Sequence, residues 1–296
     1  MNLQSDRSEI LAGEYMHGDD FPKVPVRADS LTTLTSTDFP HFKNWFDSYV
    51  GTFASDDPAI QTNIDLKYQH TQRVCRAAVN IGKDLGLDER NLCLAEIAAL
   101  FHDVGRFEQF KRYRTFSDKR SINHAAFGVE ILRDKSVLSH LDKSEQNLII
   151  GSILLHNRAI LADDGDDRSL LHSRLLRDAD KLDIWWVVTD YYRQKAAGVN
   201  NEGLELDLAD TPGISPEVYK NIINGKTILF DSLKNLNDFK LLQVGWVYDI
   251  NFLPTLRRLK ERGYLKMLQS FLPDSEEVRD IFTAVFHHID SRLKEG

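Results

Sequence analysis

The chain has 296 residues, 42% of them apolar, enough for one large domain or two small ones around a sizeable core. Its 37 basic and 45 acidic residues leave a net charge of -8, which excludes the broad positive field used to hold duplex nucleic acid or an anionic membrane, so any anion site must be local. No basic segment followed by an apolar run opens the chain, and no stretch approaches the roughly 18 uninterrupted apolar residues of a membrane span, so a soluble cytoplasmic protein is expected.

Residues 1–34 show no sustained period and read as an N-terminal extension; 35–296 reads as a single all-α domain. From Phe39 onward Phe42, Trp45, Phe46, Tyr49, Val50 and Phe53 recur at steps of three and four, which builds one apolar helical face. The same period predicts helices over 64–86, 90–104, 121–133, 144–157, 169–194, 228–236, 253–272 and 276–293, with loops at 105–120, 158–168 and 195–215. Gly86, Pro40, Ser121 and Pro216 punctuate this pattern as helix ends do. Cys75 and Cys93 fall in apolar helical patterns and read as buried reduced thiols, too few for a disulfide framework.

Within those helices the histidines turn inward. Leu66, His70, Val74, Ala77 and Ile81 share one stripe. The apolar segment "ALFHDVGRFEQF" ends on His102 and Asp103 and then turns through Gly105 into Arg106. His124 aligns with Phe127, Gly128 and Ile131, and His156 with Ile149, Ser152 and Ile153. In "LLRDADKLDIWW", Asp178, Asp180 and Asp183 interrupt a helix of Leu, Ile and Trp; Asp178 and Asp180 lie on nearly opposite faces, so one of them at most shares the site, and periodicity does not choose. The loop from Arg106 to Arg120 carries Arg106, Lys111, Arg112, Arg114, Lys119 and Arg120 against Glu108 and Asp118, a cationic patch on an acidic chain. Arg106 alone is given a role, since it follows the His-Asp pair by three residues and its planar fork suits a phosphate. The acidic run Asp163, Asp164, Asp166 and Asp167 reads as a solvated loop, and His17, His41, His140, His172, His287 and His288 are given no role.

A single inward histidine is more often a satisfied core residue than a ligand. Four helices that each aim an imidazole or carboxylate into an apolar interior would cost several kcal/mol per unpaired group, and a metal cluster resolves that cost. Imidazole and carboxylate donors suit iron, manganese, zinc or nickel better than magnesium, and facing helices are a common way to assemble them.

The order His70, His102-Asp103, His124, His156 and a late Asp in "DADKLD" resembles the HD-domain superfamily of metal-dependent phosphohydrolases, and "FHDVGR" is close to its His-Asp-Ile-Gly-Lys/Arg signature. The resemblance covers roughly residues 60–190 and implies an HD-type helical bundle with a metal-site core there; the helical period adds a further helical part at about 216–296. It implies that His70, His102, Asp103 and a late Asp form the minimal metal site, and the pattern Ala-Asp-x-Leu at 179–182 selects Asp180. His124 and His156 fall where relatives with a second metal carry two further histidines, so two divalent ions are expected, iron or manganese foremost, with zinc, nickel or magnesium as alternatives. Many two-metal phosphodiesterases of the superfamily have paired histidines where this chain has His156-Asn157-Arg158. The implied reaction is hydrolysis of a phosphate ester or anhydride of a nucleotide or another small phosphorylated metabolite, with hydroxide available at neutral pH from metal-bound water. Asp103 is the natural bridging ligand and a proton acceptor, and Arg106 neutralises phosphoryl charge. Two other readings share the same ligands: a mixed-valence di-iron oxygenase, and a nucleotide-binding protein without turnover. The resemblance leaves the oligomeric state open.

Overall fold

A computed structural model of the chain describes residues 38–161, 166–198, 205 and 208–295; the extension expected at 1–34 lies outside these residues, as do His17, Asp163 and Asp164. Among the described residues the regular elements are all helical, with one isolated bridge between Ala209 and Asn235 and no named strand. The fold is all-α.

Each helix begins where local chemistry supplies a start. Helix α1 (Phe39–Gly51) carries a proline in its first turn and buries Phe42, Trp45, Phe46, Tyr49 and Val50. Asp57 accepts from the Ala59 amide ahead of α2 (Pro58–Asp84), and Asp88 accepts from Asn91 ahead of α3 (Glu89–Phe101). Helix α4 spans Val104–Tyr113, α5 spans His124–Asp134 behind the cap Asn123, and α6 spans Lys143–His156 behind Asp142. Asp166, read as part of a solvated loop, accepts from the amides of Arg168 and Ser169 and starts α7 (Asp167–Ala196). Helix α2 packs on α3 and α7, α4 packs on α5, and α6 packs on α3, α5 and α7. The C-terminal part adds helices Pro216–Ile223, Leu236–Gly245, Leu253–Arg262, Tyr264–Ser270 and Glu276–Glu295. Cys75 and Cys93 are buried and free.

Three expected boundaries are corrected. Residues 105–120 are not one loop, because the helix resumes at Val104 and runs to Tyr113, and a short 3-10 turn follows at Asp118–Arg120. Gly105 is helical and serves close packing: a Cβ built there would sit 2.3 Å from the His124 carbonyl oxygen and 2.8 Å from the Gly128 nitrogen. The period at 228–236 does not make a helix. Only Phe230–Ser232 forms a 3-10 turn, and the helix begins at Leu236, where Asn235 accepts from the Asp238 amide. The period at 253–272 is split by Gly263, whose φ of 68° is the left-handed conformation that ends one helix before the next begins.

Candidate metal centre

The two-residue turn between α3 and α4 consists of His102 and Asp103, so the chain bends at the pair that the sequence had singled out. Around it stand His70 from α2, His124 in the first turn of α5, His156 at the end of α6 and Asp180 from the middle of α7. All four imidazoles and Asp103 are buried, and the Asp180 side chain is 13% exposed. The close crossing of α4 and α5 at Gly105 and Gly128 brings Asp103 Oδ1 within 3.3 Å of His124 Nε2.

Every imidazole is oriented through Nδ1. His102 Nδ1 donates to the Ala99 carbonyl at 2.7 Å and His156 Nδ1 donates to the Ile153 carbonyl at 2.6 Å. His70 Nδ1 donates to Asp183 Oδ2 at 2.7 Å, and His124 Nδ1 donates to Asp118 Oδ2 at 2.6 Å. In the neutral ring each Nε2 is therefore a bare lone pair, and all four converge on the two acidic side chains.

Two sets of donor atoms result. In the first, His70 Nε2 and His102 Nε2 lie 3.3 Å apart, Asp180 Oδ1 is 3.1 and 3.5 Å from them, and Asp103 Oδ2 is 3.6 and 3.5 Å from them. In the second, His124 Nε2 and His156 Nε2 lie 3.0 Å apart, with Asp103 Oδ1 at 3.3 and 4.0 Å. Donor atoms sharing one ion at about 2.0–2.2 Å stand about 3.0–3.5 Å apart for right-angled to tetrahedral coordination, which most of these spacings match, while the 4.0 Å between His156 and Asp103 requires a wider angle at the ion. Two lone pairs facing each other at 3.0 Å repel unless a cation or a proton lies between them. The sets touch through a third group of donors, His102, His156 and Asp180, all within 4.8 Å of one another.

The charges fit the same purpose. Burial by itself would raise the Asp103 carboxyl, but Lys67, His102 and Arg106 hold it well below the usual range, and contacts with His102 and His70 do the same for Asp180. Burial, reinforced by His124 and His102, pushes His156 down to about 3, and burial with Arg106 lowers His124, so both rings are neutral ligands at neutral pH. His70 goes the other way. Burial lowers it, yet its bonds to Asp180 and Asp183 outweigh that and raise it to about 9.

Several neighbours have partners that the sequence pattern did not assign. Lys67 lies one turn before His70 and reaches Asp103 Oδ2 at 2.7 Å. Asp183 is held by Arg73 at 2.6 Å while it orients His70. Asp118 sits between His124, Arg106, Gln109 and Asn157. Arg177 donates to the carbonyls of Leu155, His156 and Arg158 and so fixes the end of α6 that carries His156. Asp178 points away from the cluster and accepts from the Asn251 and Phe252 amides. Arg106 spends Nη1 on Gln109, Phe116 and Asp118, while its Nε is buried with no hydrogen-bond partner, 3.4 Å from Asp103 Oδ1. Lys119 pairs with Asp231 and Arg112 with Glu108, away from the cluster.

Residues 68–185 match the family model of the HD domain. Over these residues the chain is similar to the HD domain. The match spans the first set's His70, the central His102-Asp103 pair and Asp180, and it leaves α1 and the C-terminal helices outside. No curated protein and no solved structure matches the chain. The HD domain is a fold of metal-dependent hydrolases, and the buried His/Asp cluster of this chain could hold a metal. No helix among the described residues is long and apolar enough to cross a membrane.

Proposed function

We propose that the protein is a metal-dependent phosphohydrolase that cleaves a phosphate ester or anhydride of a nucleotide or other small phosphorylated metabolite. The observation that carries this reading is the division of the two Asp103 oxygens between two imidazole sets, beside a cavity into which Lys67 and Arg106 bring positive charge. His70, His102, Asp103 and Asp180 would hold one divalent ion, and Asp103, His124 and His156 a second. Such ions supply a Lewis acid for the phosphoryl group and a water acidified to near neutral pH.

The protein's own groups do the positioning. Lys67 and Arg106 flank Asp103 on its two oxygens and place positive charge where phosphoryl oxygens would enter, which is the main protein contribution to phosphoryl transfer. Arg106 is the better oriented, because Gln109, Phe116 and Asp118 fix its guanidinium. Asp103, held ionised by Lys67, His102 and Arg106, would act as the carboxylate shared by the two ions, while its lowered pKa makes it a weak proton acceptor. Iron and manganese suit the imidazole-rich donor set better than magnesium, which prefers oxygen donors.

The test is a phosphatase and nucleotide panel run on protein loaded anaerobically with iron or manganese. Release of inorganic phosphate or a nucleotide product is expected, with a loss of at least about 100-fold in kcat/KM for Asp103→Ala and about 10- to 100-fold for Arg106→Ala. Activity that needs dioxygen and releases no phosphate would instead identify the oxygenase reading.

A further inference from the structure

A second cleft, of about 270 Å3, shares no lining residue with the cavity at the metal centre. Three helices meet there. Helix α2 brings Arg73 and Arg76, the C-terminal helix Leu253–Arg262 brings Arg258 and Arg262, and α7 brings Asp183 and Trp186. Spacings of three and four residues put each arginine pair on one face of its helix. On a chain of net charge -8, four guanidinium groups thus line one cleft with a single carboxylate.

That carboxylate does not balance the charge. Asp183 Oδ1 accepts from Arg73 Nε at 2.6 Å, and Oδ2 accepts from Arg73 Nη2 at 3.1 Å and from His70 Nδ1 at 2.7 Å, so Asp183 is spent on one arginine and one metal-site imidazole. Arg258 pairs at 2.6 Å with Asp84, which does not line the cleft. Arg76 and Arg262 are exposed, and among the described residues neither has a carboxylate partner; Arg262 reaches only the Tyr264 side chain. Arg73 is fixed in place, with its guanidinium carbon 4.0 Å from the centre of the Trp186 ring, and Trp186 stays 40% exposed at the cleft. Two uncompensated guanidinium groups gathered beside two paired ones repel one another, and a bound anion removes that repulsion.

We propose that this cleft is a binding site for a small phosphoanion, a diphosphate group held by Arg76 and Arg262, apart from the metal centre. Guanidinium forks match phosphoryl oxygens in pairs, and two uncompensated arginines on two helices call for an anion of charge two or more. The volume suits a small ion, and the acidic remainder of the chain repels a long polyanion. The site does not depend on the phosphohydrolase reading, because none of its residues is a metal ligand. Arg73 is left native in the test, since it holds Asp183 and through it orients His70.

The experiment titrates the full-length, metal-free protein with pyrophosphate, so that the probe is neither chelated nor hydrolysed at the cluster, and follows heat and tryptophan emission. Binding is expected, and it should weaken at least about tenfold in Arg76→Ala/Arg262→Ala. The control Arg133→Ala/Arg279→Ala removes the same charge from other faces and should leave affinity within about twofold. The emission change should vanish in Trp186→Phe while the heat of binding remains, because Trp186 packs on Arg73 in the cleft. ADP should match pyrophosphate within about threefold, since the arginines hold its diphosphate; ADP at least about tenfold tighter would keep the site and make a nucleotide the source of the diphosphate. No pyrophosphate binding, equal weakening in both double variants, or an emission change that survives Trp186→Phe and so reports Trp246 beside the metal centre, would overturn the proposal.

Discussion

Asp178 and Asp180 stand two residues apart on α7 and meet opposite surroundings. Asp178 is buried against the backbone and side-chain amides of Asn251 and the backbone amide of Phe252, and burial raises its carboxyl even though those hydrogen bonds oppose the rise. Asp180 faces His70 and His102. Asp178→Asn should leave metal content within about 20% of native while costing about 1–3 kcal/mol in denaturant unfolding, since an amide cannot accept all three N–H donors as a carboxylate does. Asp180→Asn should halve the metal content with little change in secondary structure. His70 gives a second prediction at this scale. Its pKa of about 9 lies above neutral, so at pH 7 the metal-free ring carries a proton that must leave before Nε2 can bind an ion. Metal loading at pH 7 should release about one proton per protein. Titrations in buffers of different ionisation enthalpy measure this, and the release should fade as pH rises through 9. The same raised pKa makes protonated His70 a stabilising group of the metal-free fold below about pH 6.5, a contribution lost as pH climbs through 9.

The elements meet at the cluster because of two glycines more than because of any polar contact. Gly105 and Gly128 let α4 and α5 cross with backbone against backbone, and a methyl at 105 would press into the His124 carbonyl, which has no rotamer to move. Gly105→Ala should therefore cost about 1–3 kcal/mol and lower occupancy of the His124–His156 set, as it drives Asp103 from His124. Metal content and thermal unfolding read the two effects separately. The same glycine shows what the sequence could and could not disclose. Inward placement of His70, His124 and His156 was legible because helical period is a local property of the chain. Gly105 read as a turn because local pattern cannot distinguish a glycine that breaks a helix from one that lets a second helix approach. Leu229, Phe230 and Leu233 mimicked a helical stripe, although Leu229 and Phe230 line a cavity beside His70 and His124 instead. Lys67 was not legible, and Asp118 and Asp183 were visible as charges but not as the partners of His124 and His70, since a surface charge on a helix and a carboxylate that orients an imidazole look alike until another element packs beside them.

At the scale of the whole molecule, a chain of net charge -8 concentrates local cations where its acidic cluster needs them. Lys67 and Arg106 serve Asp103, and the C-terminal part is pinned to α7 by Asp249, which pairs with Arg177 and Lys181 at 2.6 and 2.7 Å. The Trp185 indole adds a hydrogen bond to the Gln243 carbonyl, so α7 carries a metal-site carboxylate on one stretch and anchors the C-terminal part on another. The account as a whole depends on the two oxygens of Asp103 serving two ions, one beside His70, His102 and Asp180, the other beside His124 and His156. Metal stoichiometry of anaerobically loaded protein, by elemental analysis, tests this most directly. We predict about two ions per native chain, about one in His124→Ala/His156→Ala, and none in Asp103→Ala with helical content intact. One ion in fully loaded native protein, or two ions retained in the double variant, would contradict it.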